Sequence, residues 1–220
     1  MKESRVNPQT IFSLACAYTQ TAGLEAEVEW QRMTDFSTFS EAELLRETAW
    51  VILCSGFRES IVRRVFDHIS LCFFDWESAR LVYDHRKMCI RAARDSLRNE
   101  AKLNAIGACA EMILSEGFDN IKSSVINDPI VELQKFPFIG PVTVWHLAKN
   151  LGLNVSKPDR HLVRLAHMCG YSTAADLCEE LAVVNAEKVK VVDLILWRYF
   201  ADNPGQWLTL TECYGTAPVV

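Results

Sequence analysis

The run Leu133–Leu165, LQKFPFIGPVTVWHLAKNLGLNVSKPDRHLVRL, decides the fold. Its first half predicts two short helices joined by a tight hairpin. Asp128 is expected to cap the first helix and Pro129 to open it, because proline is favoured at the first helical position. Pro141 is expected to open the second helix in the same way. Gly152 is the predicted stop, since glycine accepts the left-handed backbone that commonly ends a helix.

A hairpin of this kind exposes backbone N–H groups at a helix N-terminus, where the helix dipole is positive. Such a site suits a phosphate oxygen, and Gly140 would let a DNA backbone approach without a side chain in the way. Beyond the second helix and a loop, Asp159 is the predicted N-cap of a third helix that ends near Gly170. The pattern therefore indicates nucleic-acid binding.

These features resemble the helix-hairpin-helix DNA glycosylases. The matching pieces are FPFIGP at 136–141 and PDRHLVR at 158–164, with weaker similarity over 49–164. The resemblance implies an all-α, two-lobed helix-hairpin-helix fold with the active-site cleft between the lobes. It assigns residues 1–45 and 166–220 to one lobe and residues 46–165 to the lobe that carries the hairpin and the catalytic aspartate. A monomer acting on double-stranded DNA is expected.

The resemblance puts Asp159 at the position of the family's catalytic aspartate, and His161 at that of a histidine common two residues later. A plain N-cap is the alternative interpretation of Asp159, and the two roles are compatible because capping would hold the carboxylate fixed and ionised. In the family the hairpin holds a monovalent cation through backbone carbonyls. Here K⁺ or Na⁺ would meet the carbonyls of Gln134, Phe136 and Ile139.

One departure from the family pattern bears on the reaction. Members that also cut the strand carry a lysine two residues after the hairpin glycine, where it forms a Schiff base with the sugar. Val142 occupies that position and cannot be a nucleophile. The resemblance therefore implies a monofunctional enzyme without lyase activity. Lys157 remains an alternative nucleophile, although contact with phosphate or solvent explains a loop lysine more often.

Three residues are expected to line the base pocket. His146 follows Val142 by four residues, so both project from one face of the second helix. An imidazole there can stack on a base or hydrogen-bond to its edge, and ordinary core packing is the alternative. Trp197 is the third candidate, with core packing again the alternative.

In the family, a helix–loop–helix at this place in the chain supplies the residue that fills the space left by the extruded nucleotide, so the resemblance puts that residue in the loop after residue 54. By position it falls on Gly56, which has no side chain, so Phe57 or Arg58 would have to do the filling. For Phe57 a place in the core is the alternative. The other expected DNA contacts are Gly140, Thr143, Lys157, Arg160 and His161.

The chain has 220 residues, 50% of them hydrophobic, with apolar residues at helical spacing almost throughout. Its net charge is −5, yet residues 133–164 carry five basic residues against one acid, and residues 85–102 carry six against two. Each segment is therefore +4. A basic face on an acidic body suits a phosphate footprint, whereas solvated helix faces are the alternative.

The cysteines give no sign of a cofactor. Only three of the eight lie in the C-terminal part, too few and too widely spaced for the iron–sulfur cluster of some relatives. All eight are interpreted as buried thiols of a cytoplasmic, nucleoid-associated protein that needs no cofactor beyond the hairpin cation. No signal peptide or membrane-spanning run is visible. The cysteines are Cys16, Cys54, Cys72, Cys89, Cys109, Cys169, Cys178 and Cys213.

The predicted function is that of a DNA glycosylase that extrudes and excises a damaged base, by default an alkylated one, leaving an abasic site. Excision of modified bases from phage DNA, as defence, is one alternative. A non-catalytic DNA-binding protein that retains the hairpin is another. The tail from Pro204 to Val220 shows no strong helical pattern and has no predicted role.

Overall fold

The computed structural model describes the backbone of residues 6–214 and side chains as far as residue 210. This part of the chain is all-α, as predicted, and contains no β-strand. The helices are α1 Pro8–Thr21, α2 Glu25–Met33, α3 Glu41–Cys54, α4 Glu59–Cys72, α5 Ala79–Asp84, α6 Arg86–Ala93, α7 Glu100–Glu116, α8 Phe118–Asn127, α9 Pro129–Leu133, α10 Thr143–Asn150, α11 Arg160–Cys169, α12 Ala174–Asn185, α13 Val189–Asp202 and α14 Gln206–Tyr214, with a 3-10 turn at Phe74–Trp76.

The described residues form two compact units. One comprises the chain up to residue 34 and again from residue 152, and the other comprises residues 35–151. The expected boundaries, after residues 45 and 165, differ from these. Residues 35–45 pack in the second unit, where Phe39 is buried and meets Phe118 edge-on at 6.1 Å. Asp159 therefore belongs to the first unit, whereas the hairpin belongs to the second.

Helix α13 is the centre of the first unit, where it packs against α1, α2, α11 and α12. Its residues from Lys190 to Phe200 are all buried except Trp197. An almost wholly buried helix must satisfy the polar groups that it carries, because an unpaired buried charge is costly. Two of its buried charged residues, Lys190 and Asp193, form hydrogen bonds to the loop that precedes α11.

The tail forms helix α14, so the prediction of no helical pattern there is wrong for Gln206–Tyr214. Trp207 and Leu210 are buried and join the core of the first unit. Packing against that core, more than local propensity, stabilises a short helix of this kind. The side chains of Cys213 and Tyr214 and the whole of residues 215–220 lie outside the described residues.

In the second unit, α3 and α7 are the central helices. Helix α7 packs against α3 and α5, and α10 packs against α3 and α9. Ser40 and Glu43 form a capping box at the start of α3, which satisfies two N–H groups of the first turn. Helix α3 also carries the buried Glu47, whose carboxylate accepts a hydrogen bond of 2.8 Å from the Asn150 amide of α10.

Burial raises the pKa of Glu47 above its ordinary 4.5, and this desolvation outweighs the opposing effects of Arg46 and Asn150. Folding therefore shifts the proton equilibrium of Glu47 toward the protonated form. The stability that the protonated Glu47 side chain contributes is fully present below pH 4.5, its ordinary pKa. It is lost as the pH rises through the higher pKa of the folded state.

Glu47→Gln should remove that dependence, because a glutamine side chain stays neutral at every pH. We expect the free energy of unfolding of the variant, relative to the natural protein, to increase between pH 4.5 and pH 7. Urea denaturation at three pH values measures it. Glu77→Gln, an exposed position in the same unit, is the control and should track the natural protein. A constant difference between Glu47→Gln and the natural protein would refute the prediction.

The seven cysteines with described side chains are free thiols. Cys89, Cys109, Cys169 and Cys178 are buried, as expected, and burial raises the pKa of Cys169 to about 12. Cys16, Cys54 and Cys72 are partly exposed, so the expectation of burial was wrong for them. Across the described residues, none of the helices combines the length and apolar character needed to span a membrane.

Candidate functional site

Asp159 is the N-cap of α11, as predicted. Its backbone is extended and its Oδ1 accepts the N–H of His161 at 2.8 Å. Gly170 ends the same helix in the left-handed conformation. The side chain of Asp159 is 17% exposed, so the carboxylate is partly screened from water while remaining reachable from outside.

The loop that carries Asp159 is tied to α13 by three hydrogen bonds. The buried carboxylate of Asp193 accepts the N–H of Lys157 at 2.5 Å. The ammonium of Lys190 donates to the carbonyl of Gly152 at 3.1 Å, and the N–H of Lys190 donates to Oδ1 of Asn154 at 3.3 Å. Two buried charged residues therefore hold a loop that has no regular structure of its own.

Lys157 lies beside the catalytic candidate. Its Nζ is 3.9 Å from Oδ2 of Asp159, and the lysine side chain is 20% exposed. A pair at that distance is a weak ion pair and not a close hydrogen bond. The ammonium adds positive potential next to the carboxylate, which suits an approaching phosphate as well.

An aromatic cluster from α13 and α14 covers the start of α11. Trp207 stacks on Phe200 with ring centroids 4.1 Å apart, and the guanidinium of Arg164 lies 4.5 Å from the Trp207 ring centroid. The indole Nε1–H donates to Nδ1 of His161 at 3.2 Å. His161 is therefore held by two elements, its own helix and α14.

The hydrogen bond from Trp207 selects the neutral imidazole of His161, because both ring nitrogens of the charged form are donors. The pKa of His161 is lowered, chiefly by burial. Asp159 opposes that shift, while three cations reinforce it. These are Arg160, Arg164 and Lys157.

Trp207→Phe should raise the pKa of His161 toward its ordinary 6.5, because phenylalanine offers no donor to Nδ1. The stability due to neutral His161 is present above pH 6.5 and lost as the pH falls through its lower folded pKa. The variant should thus be destabilised more at pH 7.5 than at pH 5. An NMR titration of the His161 ring, with denaturation at both pH values, measures these effects.

Leu208→Ala is the matched control in the same helix, because Leu208 is exposed. It should leave the His161 titration unchanged. If Trp207→Phe also leaves that titration unchanged, the hydrogen bond does not govern the protonation of His161.

The hairpin lies in the second unit. Asp128 caps α9 and Pro129 opens it, as predicted. Helix α10, however, begins at Thr143 and not at Pro141, so that boundary was wrong by two residues. The cause is local: the Thr143 hydroxyl accepts the N–H of Gly140 at 2.7 Å and draws residues 140–142 into a turn.

Two backbone donors remain at the start of α10. Within residues 6–214, the N–H groups of Val142 and Thr143 donate to no acceptor in the chain, whereas the N–H of Val144 bonds to the Gly140 carbonyl at 2.9 Å. The N–H of Gly140, expected to be free, is occupied by Thr143. The donors that can meet a phosphate oxygen are therefore those of Val142 and Thr143.

The backbone conformation at residue 140 does not require glycine, because the φ of Gly140 is not positive. A Cβ at this position would meet only the Thr143 hydroxyl, at 3.9 Å, which is ordinary contact. The chain therefore tolerates alanine at 140, and any need for glycine comes from a group outside the chain. Phe138, in contrast, adopts a left-handed φ of 62° that the sequence did not indicate.

The three carbonyls expected to hold a cation differ in whether they already accept a hydrogen bond. In the described part of the chain, the carbonyl oxygens of Gln134 and Ile139 accept no hydrogen bond, while that of Phe136 accepts the Ile139 N–H at 3.1 Å. Carbonyl oxygens with free lone pairs are suitable ligands for a hard cation. Lone pairs on all three carbonyl oxygens are therefore available to a cation.

The three expected pocket residues are divided between the units. Val142 is 49% exposed next to the start of α10, and His146 is half-buried one turn later. Trp197 lies in the first unit, one helical turn after Asp193, and the Arg198 guanidinium lies 4.8 Å from its ring centroid. Trp197 is partly exposed and interrupts the buried run of α13.

The remaining expected DNA contacts are on the surface. Arg160 and Arg58 are exposed at the starts of α11 and α4, and Phe57 is 38% exposed. The exposure of Phe57 argues against its alternative interpretation as a core residue.

The basic segments are less uniform than their net charge suggests. Lys149 and Lys102 are buried, and Arg86 pairs with Glu111 at 3.1 Å, so none of the three is free to meet phosphate. Four exposed cations of the second segment remain, although one of them, Arg94, lies 3.7 Å from a carboxylate oxygen of the exposed Glu100. The four are Lys87, Arg91, Arg94 and Arg98.

Sequence reasoning missed Asp193, Lys190 and Trp207 as parts of the site. A usable signal existed for Asp193 and Lys190, because both are charged residues within the apolar run VKVVDLILW of α13. A charge in such a run is buried and must have a partner. For Trp207 no local signal existed, since its partners lie 46 and 7 residues away in the chain.

Among the described side chains, no group of three or more His, Cys, Asp or Glu residues is arranged to hold a metal ion. Comparison of the chain with known protein families, curated proteins and solved structures finds no match.

Proposed function

We propose that this protein is a monofunctional DNA glycosylase with the two-lobed helix-hairpin-helix fold, and that Asp159 is its catalytic carboxylate. The observation that carries the proposal is the fixed position of Asp159. It is an N-cap on a loop held by the buried Asp193 and Lys190, it is partly screened from water, and it has Lys157 beside it.

The proposed reaction begins with rotation of the target nucleotide out of the duplex, at a cost of roughly a few kcal/mol. The bond from C1′ to the base nitrogen then breaks, and its electron pair leaves with the base, which takes up a proton. The sugar develops oxocarbenium character, which the carboxylate of Asp159 stabilises electrostatically. The oxygen of water bonds to C1′ and gives up its proton, for which Asp159 is the base. The products are the free base and an abasic site.

The hairpin would hold the DNA backbone. The available N–H groups of Val142 and Thr143, at the positive end of the α10 dipole, can donate to one phosphate. A K⁺ or Na⁺ held by the carbonyls of Gln134, Phe136 and Ile139 would add positive charge there. Gly140 leaves space for close approach, so Gly140→Ala should weaken DNA binding while leaving the melting temperature unchanged.

Val142 supports the absence of lyase activity, because its side chain holds no nucleophile. Lys157, with Nζ 3.9 Å from Asp159, is the alternative nucleophile. Reduction with borohydride in the presence of substrate distinguishes a monofunctional glycosylase from a lyase that uses Lys157. No covalent protein–DNA adduct is expected, and an adduct that disappears in Lys157→Ala would overturn the monofunctional assignment.

The main test is abasic-site formation on a panel of duplexes and genomic DNAs with alkylated, oxidised, deaminated and phage-modified bases. We expect strand breaks on at least one substrate, and only after treatment with alkali. An alkylated base is the expected substrate, and cutting confined to phage-modified DNA would indicate a defence role. Asp159→Asn, purified in the same way, controls for a contaminating glycosylase.

A non-catalytic DNA-binding protein is the competing proposal, and the donors at the hairpin favour it independently of Asp159. It predicts salt-dependent DNA affinity that Asp159→Asn does not lower, with no abasic product on any member of the panel.

A further inference from the structure

Helix α6 carries an exposed basic face. Lys87, Arg91 and Arg94, which directly follows the helix, are spaced by four and three residues, so their side chains project from one side. The opposite side of α6 is buried. The exposed Met88 borders the basic residues, and the helix itself contains no acidic residue. Among the described residues, Lys87 and Arg91 form no ion pair, so their charges are available to a partner.

Helix α12 carries an exposed face of the opposite charge. Its charged residues are Asp176, Glu179 and Glu180, and it contains no lysine or arginine. Val183, 82% exposed, and Val184, 64% exposed, continue the same side of the helix for a further turn. Exposed apolar side chains bordered by charge are typical of surfaces that bind another protein.

The two faces complement each other in charge and in kind. Each runs along one side of a regular helix and combines charges of a single sign with exposed apolar side chains. Helix α6 is about 12 Å long and α12 about 18 Å, so the basic face fits within the length of the acidic one. Helix α12 belongs to the first unit and α6 to the second, and both faces are exposed in the folded chain. One copy of the chain therefore offers both halves of an interface.

We propose that copies of this chain associate head to tail, with the α12 face of one copy against the α6 face of the next. The proposal is independent of the glycosylase activity and departs from the monomer that the resemblance implies. Because two different surfaces meet, every added copy leaves one face of each kind free, and association continues beyond a dimer into a ring or a chain. Exposed ion pairs are individually weak, so the association is reversible and sensitive to salt.

The test is sedimentation equilibrium of the full chain, freed of nucleic acid with nuclease, up to millimolar concentration. At an ionic strength of about 0.1 M the average mass should rise with concentration past that of two copies. At about 1 M, where the Debye length falls to about 3 Å, it should return toward the 25.0 kDa of one chain. A single chain at every concentration in low salt, or a mass that stops at two copies, would overturn the proposal.

Charge reversal identifies the two faces. Glu179→Lys combined with Glu180→Lys should lower the association constant roughly tenfold or more, because like charges then meet. Lys87→Glu combined with Arg91→Glu should do the same. A mixture of these two variants should associate again, since each supplies the face that the other needs. A chain with all four changes keeps the natural net charge and should associate like the natural protein. If neither the mixture nor this chain associates, the faces are not partners.

Glu25→Lys combined with Glu77→Lys is the matched control. It makes the same change in net charge at exposed positions outside both faces, and it should associate like the natural protein. Equal loss in this control would attribute the effect to net charge alone and refute the proposal.

Glu180 also accepts a hydrogen bond from the Tyr171 side chain, so its reversal can weaken the fold. Val183→Ala combined with Val184→Ala is therefore the second variant of this face. Alanine is the better helix former, so association should weaken while the melting temperature does not fall. If Lys87→Glu with Arg91→Glu lowers DNA affinity and leaves sedimentation unchanged, the basic face serves nucleic acid and the proposal is wrong.

Discussion

Asp159→Asn is expected to slow abasic-site formation by roughly 100- to 1000-fold, the usual effect of removing one electrostatic group from a site where charge develops. The variant loses the negative charge that would stabilise the oxocarbenium-like sugar. It keeps a side-chain oxygen that can accept the N–H of His161, and asparagine is as good an N-cap as aspartate. The fold and the position of the loop should therefore be retained.

Single-turnover excision, DNA affinity and thermal melting should be measured together. DNA affinity should stay equal or increase, because a negative charge near phosphate is removed. Asp176→Asn is the matched control, since Asp176 accepts the N–H of Thr173 in the capping box of α12 at 3.0 Å. That variant should excise normally. Equal excision by Asp159→Asn and the natural protein would contradict the catalytic role.

Asp193→Ala is expected to slow excision by about 100-fold, with the loss mainly in kcat. The variant removes the acceptor for the Lys157 N–H two residues before Asp159. A displacement of the carboxylate by about 1 Å is enough for an effect of this size. The free energy of unfolding should fall by about 2 kcal/mol, the typical contribution of a hydrogen bond to a charged group.

Asp193→Asn separates positioning from charge, because its amide oxygen can still accept the N–H of Lys157. This variant should excise much faster than Asp193→Ala. Hydrogen exchange at the Lys157 amide provides a readout that catalysis does not influence, and it should accelerate in Asp193→Ala. If stability falls while excision stays normal, Asp193 supports the fold only, and the rigidity of the loop is not part of the mechanism.

Local rules predicted the parts of the structure that depend on a few neighbouring residues. The N-caps at Asp128 and Asp159 follow from side-chain oxygens that accept backbone N–H groups two or three residues away. The stop at Gly170 follows from the left-handed backbone that glycine accepts. Helix α10 starts two residues later than predicted because the hydrogen bond from the Gly140 N–H to the Thr143 hydroxyl holds the preceding residues in a turn.

The supports of the candidate site could not be predicted from local patterns. Asp193 reaches back 36 residues to Lys157, and Lys102 reaches back 47 to 50 residues to the end of α3. Such pairings depend on which helices pack together, and helical periodicity shows only which face of each helix is apolar. The sequence therefore indicated the N-cap aspartate of α11 and the hairpin, whereas the residues that hold the Asp159 loop required the structure.

The ammonium of Lys190 has a further consequence. It donates to the carbonyl of Thr34 as well as to that of Gly152. These are the residues at which the chain leaves the first unit and returns to it, so the points of departure and return both lie within hydrogen-bonding distance of one nitrogen atom. Residues 35–151 are thus, in topological terms, an insertion between two adjacent positions of a host domain. A short linker can join Thr34 to Gly152, so the first unit can be expressed without residues 35–151 as one shorter chain.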